Sequence, residues 1–234
     1  MFSSFSSSIS VNVKIQYRNG FYYATMFMLL ISIIILQYLD AKVKLAFVPF
    51  AIIMNIVSTT GFFVALLVLL ERQELSYYAL VTSPIFNNTY LFAKIFTVTG
   101  LALVEGLGLY LFSTTNYSGF LFVFIGIICL SLIYCLACYA IAIRYSNFNE
   151  IIFPLIGLIM LLSLNLFFQL FGYENPLLII FPSYGAFQML SKGVSASLTN
   201  NDFAIYSLQT LFWIVAIYIF SQKMFNDFIQ NLEI

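Results

Sequence analysis

Long apolar runs separated by short polar breaks dominate this chain. Six runs stand out, at about 21–39, 45–70, 95–112, 119–143, 151–171 and 203–220. Each is near the roughly 20 residues that an α-helix needs to cross a hydrocarbon core. The second and fourth are longer, so they are expected to tilt or protrude. Pro49, Asn55 and Gly61 interrupt the second run, and Pro154 lies near the start of the fifth. The pattern predicts an all-α polytopic membrane protein of six transmembrane helices. It forms a single membrane domain over 1–234, with an N-terminal segment at 1–20, the six-helix part at 21–220 and a tail at 221–234.

The stretches between the runs refine this picture. Residues 1–10 are polar, and 11–18 (VNVKIQYR) alternate apolar and polar positions. Alternation by itself signals a strand, but a lone strand at a bilayer edge leaves its backbone groups unpaired. The same residues place Ile9, Val13 and Tyr17 four apart, on one helical face. The expectation is an amphipathic helix lying at the inner surface. No cleavable-signal pattern follows, and the first span is expected to serve as the targeting element. The loops at 40–44 and 113–118 are short. Asn116-Tyr117-Ser118 matches a glycosylation tripeptide, but in so short a loop it carries no weight. The segment 172–202 is long, and Pro182 and Gly185 break its apolar part. A pair of short re-entrant or surface helices is expected there.

Lysine and arginine placement sets the orientation. With the N-terminus inside, the inner segments hold Lys14, Arg18, Arg72, Lys94, Arg144 and Lys223, and the outer ones hold Lys42, Lys44 and Lys192. Six against three places both termini in the cytoplasm and the protein in the plasma membrane, although Lys42 and Lys44 oppose the bias.

Composition agrees and excludes much chemistry. The chain is 62% hydrophobic and 8% charged, against about 25% charged in soluble domains. Its net charge is zero, so no basic patch suggests nucleic acid. There is no histidine, which removes histidine acid–base chemistry and histidine metal ligation. Cys135 and Cys138 have CxxC spacing, but they lie with Cys129 inside an apolar run, where a thiolate is not stabilised. They read as small packing residues. No P-loop and no GxSxG occurs, so no catalytic set and no metal site is expected in this chain.

Within the membrane, Glu105 is a full charge placed well inside a predicted span. An intramembrane carboxyl is costly, which suggests function by default. It would line a substrate path, accept a proton, or simply bond a Ser, Thr or Tyr on a neighbouring helix. Asn55, Ser58, Thr59 and Thr60 form a polar cluster in the second run, and Asn165 and Gln169 another in the fifth. Interhelical hydrogen bonding is the blander reading of both. Asn55, Thr59, Glu105, Asn165 and Gln169 are the candidates for a substrate path.

Residues 71–94, ERQELSYYALVTSPIFNNTYLFAK, carry the most specific pattern. It resembles the loop between the second and third spans of ABC-2 type permeases, the membrane subunits of type-2 ABC exporters. The shared frame is an acid–base pair after the second span (Glu71-Arg72), an amphipathic turn (Glu74-Leu75, Tyr77, Tyr78, Ala79, Leu80), then Thr82-Ser83-Pro84, and Lys94 opening the third span. The Gly-Thr usual after the charged pair is missing; Gln73 to Ser76 stand there instead. KIQYRNGFYY before the first span and FPSYGAF in the last outer loop are also similar to the family, as is the six-span plan. Small drug-export permeases, those for fluoroquinolones among them, are the nearest in character.

The resemblance implies a cytoplasmic coupling helix between spans two and three that docks on a separate ATPase. Glu71, Arg72 and Glu74 would supply polar contacts there, Tyr77, Tyr78 and Leu80 apolar anchors, and Pro84 the break that follows. It implies two ATPase copies that bind ATP and Mg, and a homodimer or a pairing with a related permease. The expected activity is export of an amphipathic or lipid-like small molecule or drug, with hydrolysis in the partner chain. Two alternatives stay open: a proton-coupled carrier using Glu105, and a non-transporting membrane scaffold or assembly factor.

Overall fold

The computed structural model describes residues 2–73, 87–170 and 176–232. The described residues are helical apart from turns. Helices α1 (Phe2–Arg18) and α2 (Phe21–Gln37) meet at a 65° bend. Gly20 makes that bend with φ +76°, a left-handed conformation that glycine adopts without a Cβ penalty. Helix α3 (Ala41–Val57) runs through a π-helical turn, Ser58–Phe62, into α4 (Phe63–Gln73). Then follow α5 (Asn87–Ser113), α6 (Phe120–Ala142) and α7 (Phe148–Leu170). A 3₁₀ turn (Pro176–Ile180), a short helix α8 (Tyr184–Val194) and the long α9 (Asn200–Leu232) complete the chain.

Among the described residues, five stretches are long and apolar enough to cross a membrane: Val43–Arg72, Tyr90–Ser113, Phe120–Ala142, Phe148–Gln169 and Asn200–Phe228. A sixth is added if the bent pair α1–α2 counts as one span. Helix α2 has 17 residues, about 25 Å at 1.5 Å per residue, slightly under the hydrocarbon thickness of roughly 30 Å. Helix α9 has 33 residues, on the order of 50 Å, so it extends well beyond its apolar part.

The bundle is organised around α6. Its buried residues, among them Val123, Gly126, Ile127, Leu130, Ile133, Tyr134, Leu136 and Tyr139, lie around most of its circumference. A helix that is apolar on all sides belongs in the centre, and α4, α5, α7, α8 and α9 pack against it. Cys129, Cys135 and Cys138 are free and buried there, as packing residues would be. Helix α9 is the opposite case. Little of its apolar stretch is buried, and Leu208, Leu211, Phe212, Val215 and Ile219 point outward, which suits a surface bathed in lipid tails.

The two end segments differ in informative ways. The alternating run 11–18 is helical. Helix α1 turns Asn12, Ile15 and Gln16 inward and leaves Val13 and Tyr17 exposed. Gln16 Nε2 donates to Thr97 Oγ1 on α5 at 3.0 Å, so polar side chains tie α1 to the bundle. In the last loop, α8 buries Gly185, Ala186, Met189, Leu190, Gly193 and Val194. Glycines allow this approach: a Cβ at Gly119 would overlap the Gly193 carbonyl oxygen, and one at Gly185 would overlap Gln209 Oε1 on α9.

Candidate functional site

One end of the bundle gathers charged side chains into its interior. The last turn of helix α4 carries Glu71 and Arg72, and α5 carries Tyr90 and Lys94 one turn apart on the same face. Lys94 is fully buried and Glu71 is 4% exposed. Lys94 Nζ lies 2.6 Å from Glu71 Oε2 and 2.5 Å from the Tyr90 hydroxyl. The Tyr90 hydroxyl also donates to Glu71 Oε2. The ammonium sits 4.5 Å from the Tyr90 ring centroid. A buried ion pair survives desolvation only when further hydrogen bonds support it, and Tyr90 supplies one to each partner.

Arg72 points the other way. Its Nη1 donates to Tyr145 O at 2.6 Å and its Nη2 to Ile143 O at 2.7 Å. These carbonyls follow the end of α6, where helical partners run out and partial negative charge collects. The Phe228 ring from α9 lies 4.5 Å under the guanidinium. Phe225 on α9 faces Tyr90 and Tyr139, with centroids 6.3 Å and 6.2 Å apart. Arg144 Nη2 reaches Met224 Sδ at 3.2 Å. The ends of α4, α5, α6 and α9 therefore meet in one polar-aromatic knot.

Deeper in the bundle, Glu105 on α5 is 1% exposed. Thr59 Oγ1 donates to its Oε2, while its Oε1 is buried without a partner. Thr59 belongs to the π-helical turn, whose wider winding is a frequent mark of functional positions. One turn earlier on α3, Asn55 Nδ2 donates to Ser32 Oγ on α2 at 2.9 Å and to the Ala51 carbonyl at 2.8 Å. Its Oδ1 is buried and unpartnered. Gly106, next to Glu105, lies close against α6: a Cβ there would sit 2.8 Å from Ile127 Cδ1.

A third grouping sits toward the opposite end. Ser183 Oγ donates to the Leu162 carbonyl and lies 2.9 Å from Asn165 Oδ1. Asn165 Nδ2 and Gln169 Nε2 are buried without partners. Nearby, Lys192 Nζ donates to the Tyr206 hydroxyl at 2.9 Å, and that contact raises the lysine above its ordinary pKa.

A family model described as fluoroquinolones export permease protein matches residues 3–233. The chain belongs to that family. The match agrees with the resemblance to ABC-2 type permeases, and the apolar helices agree with a multi-pass membrane protein. No curated protein matches the permease.

The sequence-predicted residues of this permease separate into four sets. Thr59 and Glu105 are brought into contact, with Asn55 one turn away, whereas Asn165 belongs to the Ser183 grouping. Glu71 and Arg72, expected at a docking surface, are held by partners inside the bundle. Glu74, Tyr77, Tyr78, Leu80 and Pro84 lie outside the described residues. Sequence reasoning missed Tyr90, Ser183 and Ser32, and it placed Lys94 at the opening of its span. Lys94 instead lies two turns inside α5. The available signal was Tyr90 at i−4 from Lys94, the spacing at which helical side chains meet.

Proposed function

We propose that this permease is the membrane subunit of an ATP-driven ABC-2 type exporter. It moves an amphipathic or lipid-like small molecule, with fluoroquinolone-like drugs as the first class to test, out of the cell. Two copies of a separate ATPase supply the energy, and the permease works as a homodimer or beside a related permease. The segment 74–86 is the coupling element, with Tyr77, Tyr78 and Leu80 as apolar anchors and Glu74 as a polar contact. Glu105, Thr59 and Asn55 line the path within the membrane. Both termini are cytoplasmic in this reading.

The family match over 3–233 carries this reading. The carboxyl of Glu105, with one oxygen bonded to Thr59 and the other unpartnered, supports a polar path through an otherwise apolar bundle. The same observation favours the second reading, a carrier in which Glu105 takes up a proton. The test is co-purification from native membranes in mild detergent, wild type beside Tyr78→Ala/Leu80→Ala. An ATP-binding subunit should accompany wild type and be lost from the variant. Its absence from wild type would remove the ATP-driven reading and leave the carrier.

A further inference from the structure

We propose that Glu71, Lys94 and Tyr90 are positioning residues that lock the end of α4 to the start of α5, and that export, though not ATP hydrolysis, depends on this lock. Glu71 acts from inside the bundle and is not itself a docking contact. The proposal rests on the exporter reading above.

Burial is the first argument. Lys94 is fully buried and Glu71 is 4% exposed, so neither offers its charge to a partner protein. The second argument is placement. Glu71 lies two residues before the end of α4, and Tyr90 and Lys94 lie in the first two turns of α5. The pair therefore ties the end of α4 to the start of α5. Lys94 Nζ contacts the carboxylate at 2.6 Å and the phenol at 2.5 Å, and the phenol bonds the carboxylate. Three mutual contacts fix a geometry more firmly than apolar packing, which tolerates sliding. The next residue, Arg72, grips the carbonyls of Ile143 and Tyr145 beyond α6. Phe225 and Phe228 bring in the end of α9. The ends of α4, α5 and α6 are thus joined by short polar links, and the end of α9 by ring contacts.

A structural strut would show the same burial, so the test must separate folding from coupling. Four proteins are compared in the native complex: wild type, Glu71→Gln, Lys94→Met, and the double variant Glu71→Gln/Lys94→Met. The readouts are thermal midpoint, co-purifying ATPase, ATP hydrolysis, and export of the fluoroquinolone norfloxacin. Each single variant leaves a buried group unpaired, so midpoint and export both fall. The double variant is neutral and similar in volume. Its midpoint should return near wild type and its ATPase should stay bound and active, while export remains down roughly tenfold or more. Hydrolysis without export is a signature that a merely structural pair does not give.

Export restored in the double variant overturns the proposal, and so does loss of the ATPase, which would make Glu71 a docking contact. If the double variant fails to fold, Tyr90→Phe decides. It keeps the ring and the ion pair but removes the hydroxyl. Reduced export with the ATPase retained is expected, and unchanged export overturns the proposal. A wild type that binds no ATPase fails separately and refutes the exporter reading itself.

Discussion

The contact between Thr59 and Glu105 yields a prediction in which stability and activity move apart. Thr59→Val keeps the side-chain shape and removes the hydroxyl that serves Glu105 Oε2. Because Oε1 already lacks a partner, the carboxyl would then have neither oxygen satisfied. Stranding a buried acceptor costs about 1–3 kcal/mol. Interhelical hydrogen bonds in membranes measure lower, averaging about 0.6 and reaching roughly 2 kcal/mol. The expected loss is therefore about 1–2 kcal/mol. Glu105→Leu behaves differently. It removes a polar group that is only half satisfied, and apolar replacement of such groups is often neutral or stabilising. Thr59 would then lose a partner whose place its own i−4 carbonyl can take. In the Glu105→Leu background, Thr59→Val should cost almost nothing, giving a coupling of about 1–2 kcal/mol. Reversible unfolding in mixed micelles measures all four corners of the cycle, and export assays run beside it. Glu105→Leu is expected to keep its stability and lose export. Equal costs for Thr59→Val in both backgrounds would refute the contact. A large destabilisation by Glu105→Leu with export intact would make the carboxyl a structural group.

Two further perturbations test the packing and the helix-end knot. Gly185→Ala places a methyl group against Gln209 and the Tyr206 carbonyl on α9, and overpacking of this kind costs about 1–3 kcal/mol. Gly100→Ala, where nothing lies within 4 Å, should stay within about 0.5 kcal/mol of wild type. Similar thermal midpoints for the two variants would contradict the close approach of α8 to α9. Arg72→Lys keeps the charge but loses the fork that reaches two carbonyls at once. A loss of about 1–2 kcal/mol in micelle unfolding is expected, and no loss would show that the carbonyls are served by solvent instead.

The positions of the spans were legible because lipid makes a single demand. Every backbone group must be satisfied internally, so apolar length translates into helix almost without regard to residue detail. The runs at 119–143 and 151–171 correspond to α6 and α7 within a few residues. Side-chain partners were less legible, because partner choice depends on which helices become neighbours. Glu105 was identifiable as an anomaly on α5, and a hydroxyl partner was one of the options. That the partner is Thr59, within a π-helical turn, follows only from how α3 and α4 lie against α5.

The misplacement of Lys94 carries the same lesson further. A lysine at the edge of an apolar run reads as an interfacial anchor, since a long side chain normally reaches for water. Here Glu71, 23 positions earlier in the chain, lies opposite it across the helix–helix contact. The cost of burial is offset by an opposite charge and a phenol, not by solvent. The same fact changes the role of Glu71. Read along the sequence, it is the first charge of an exposed coupling loop. Read across the bundle, it is the carboxylate that pairs with a buried lysine. Residues at the boundary between a span and its loop therefore cannot be assigned to partner contact from sequence position, because a buried cation nearby can claim them first. In this permease Lys94 claims Glu71 in that way, and the carbonyls beyond α6 claim Arg72.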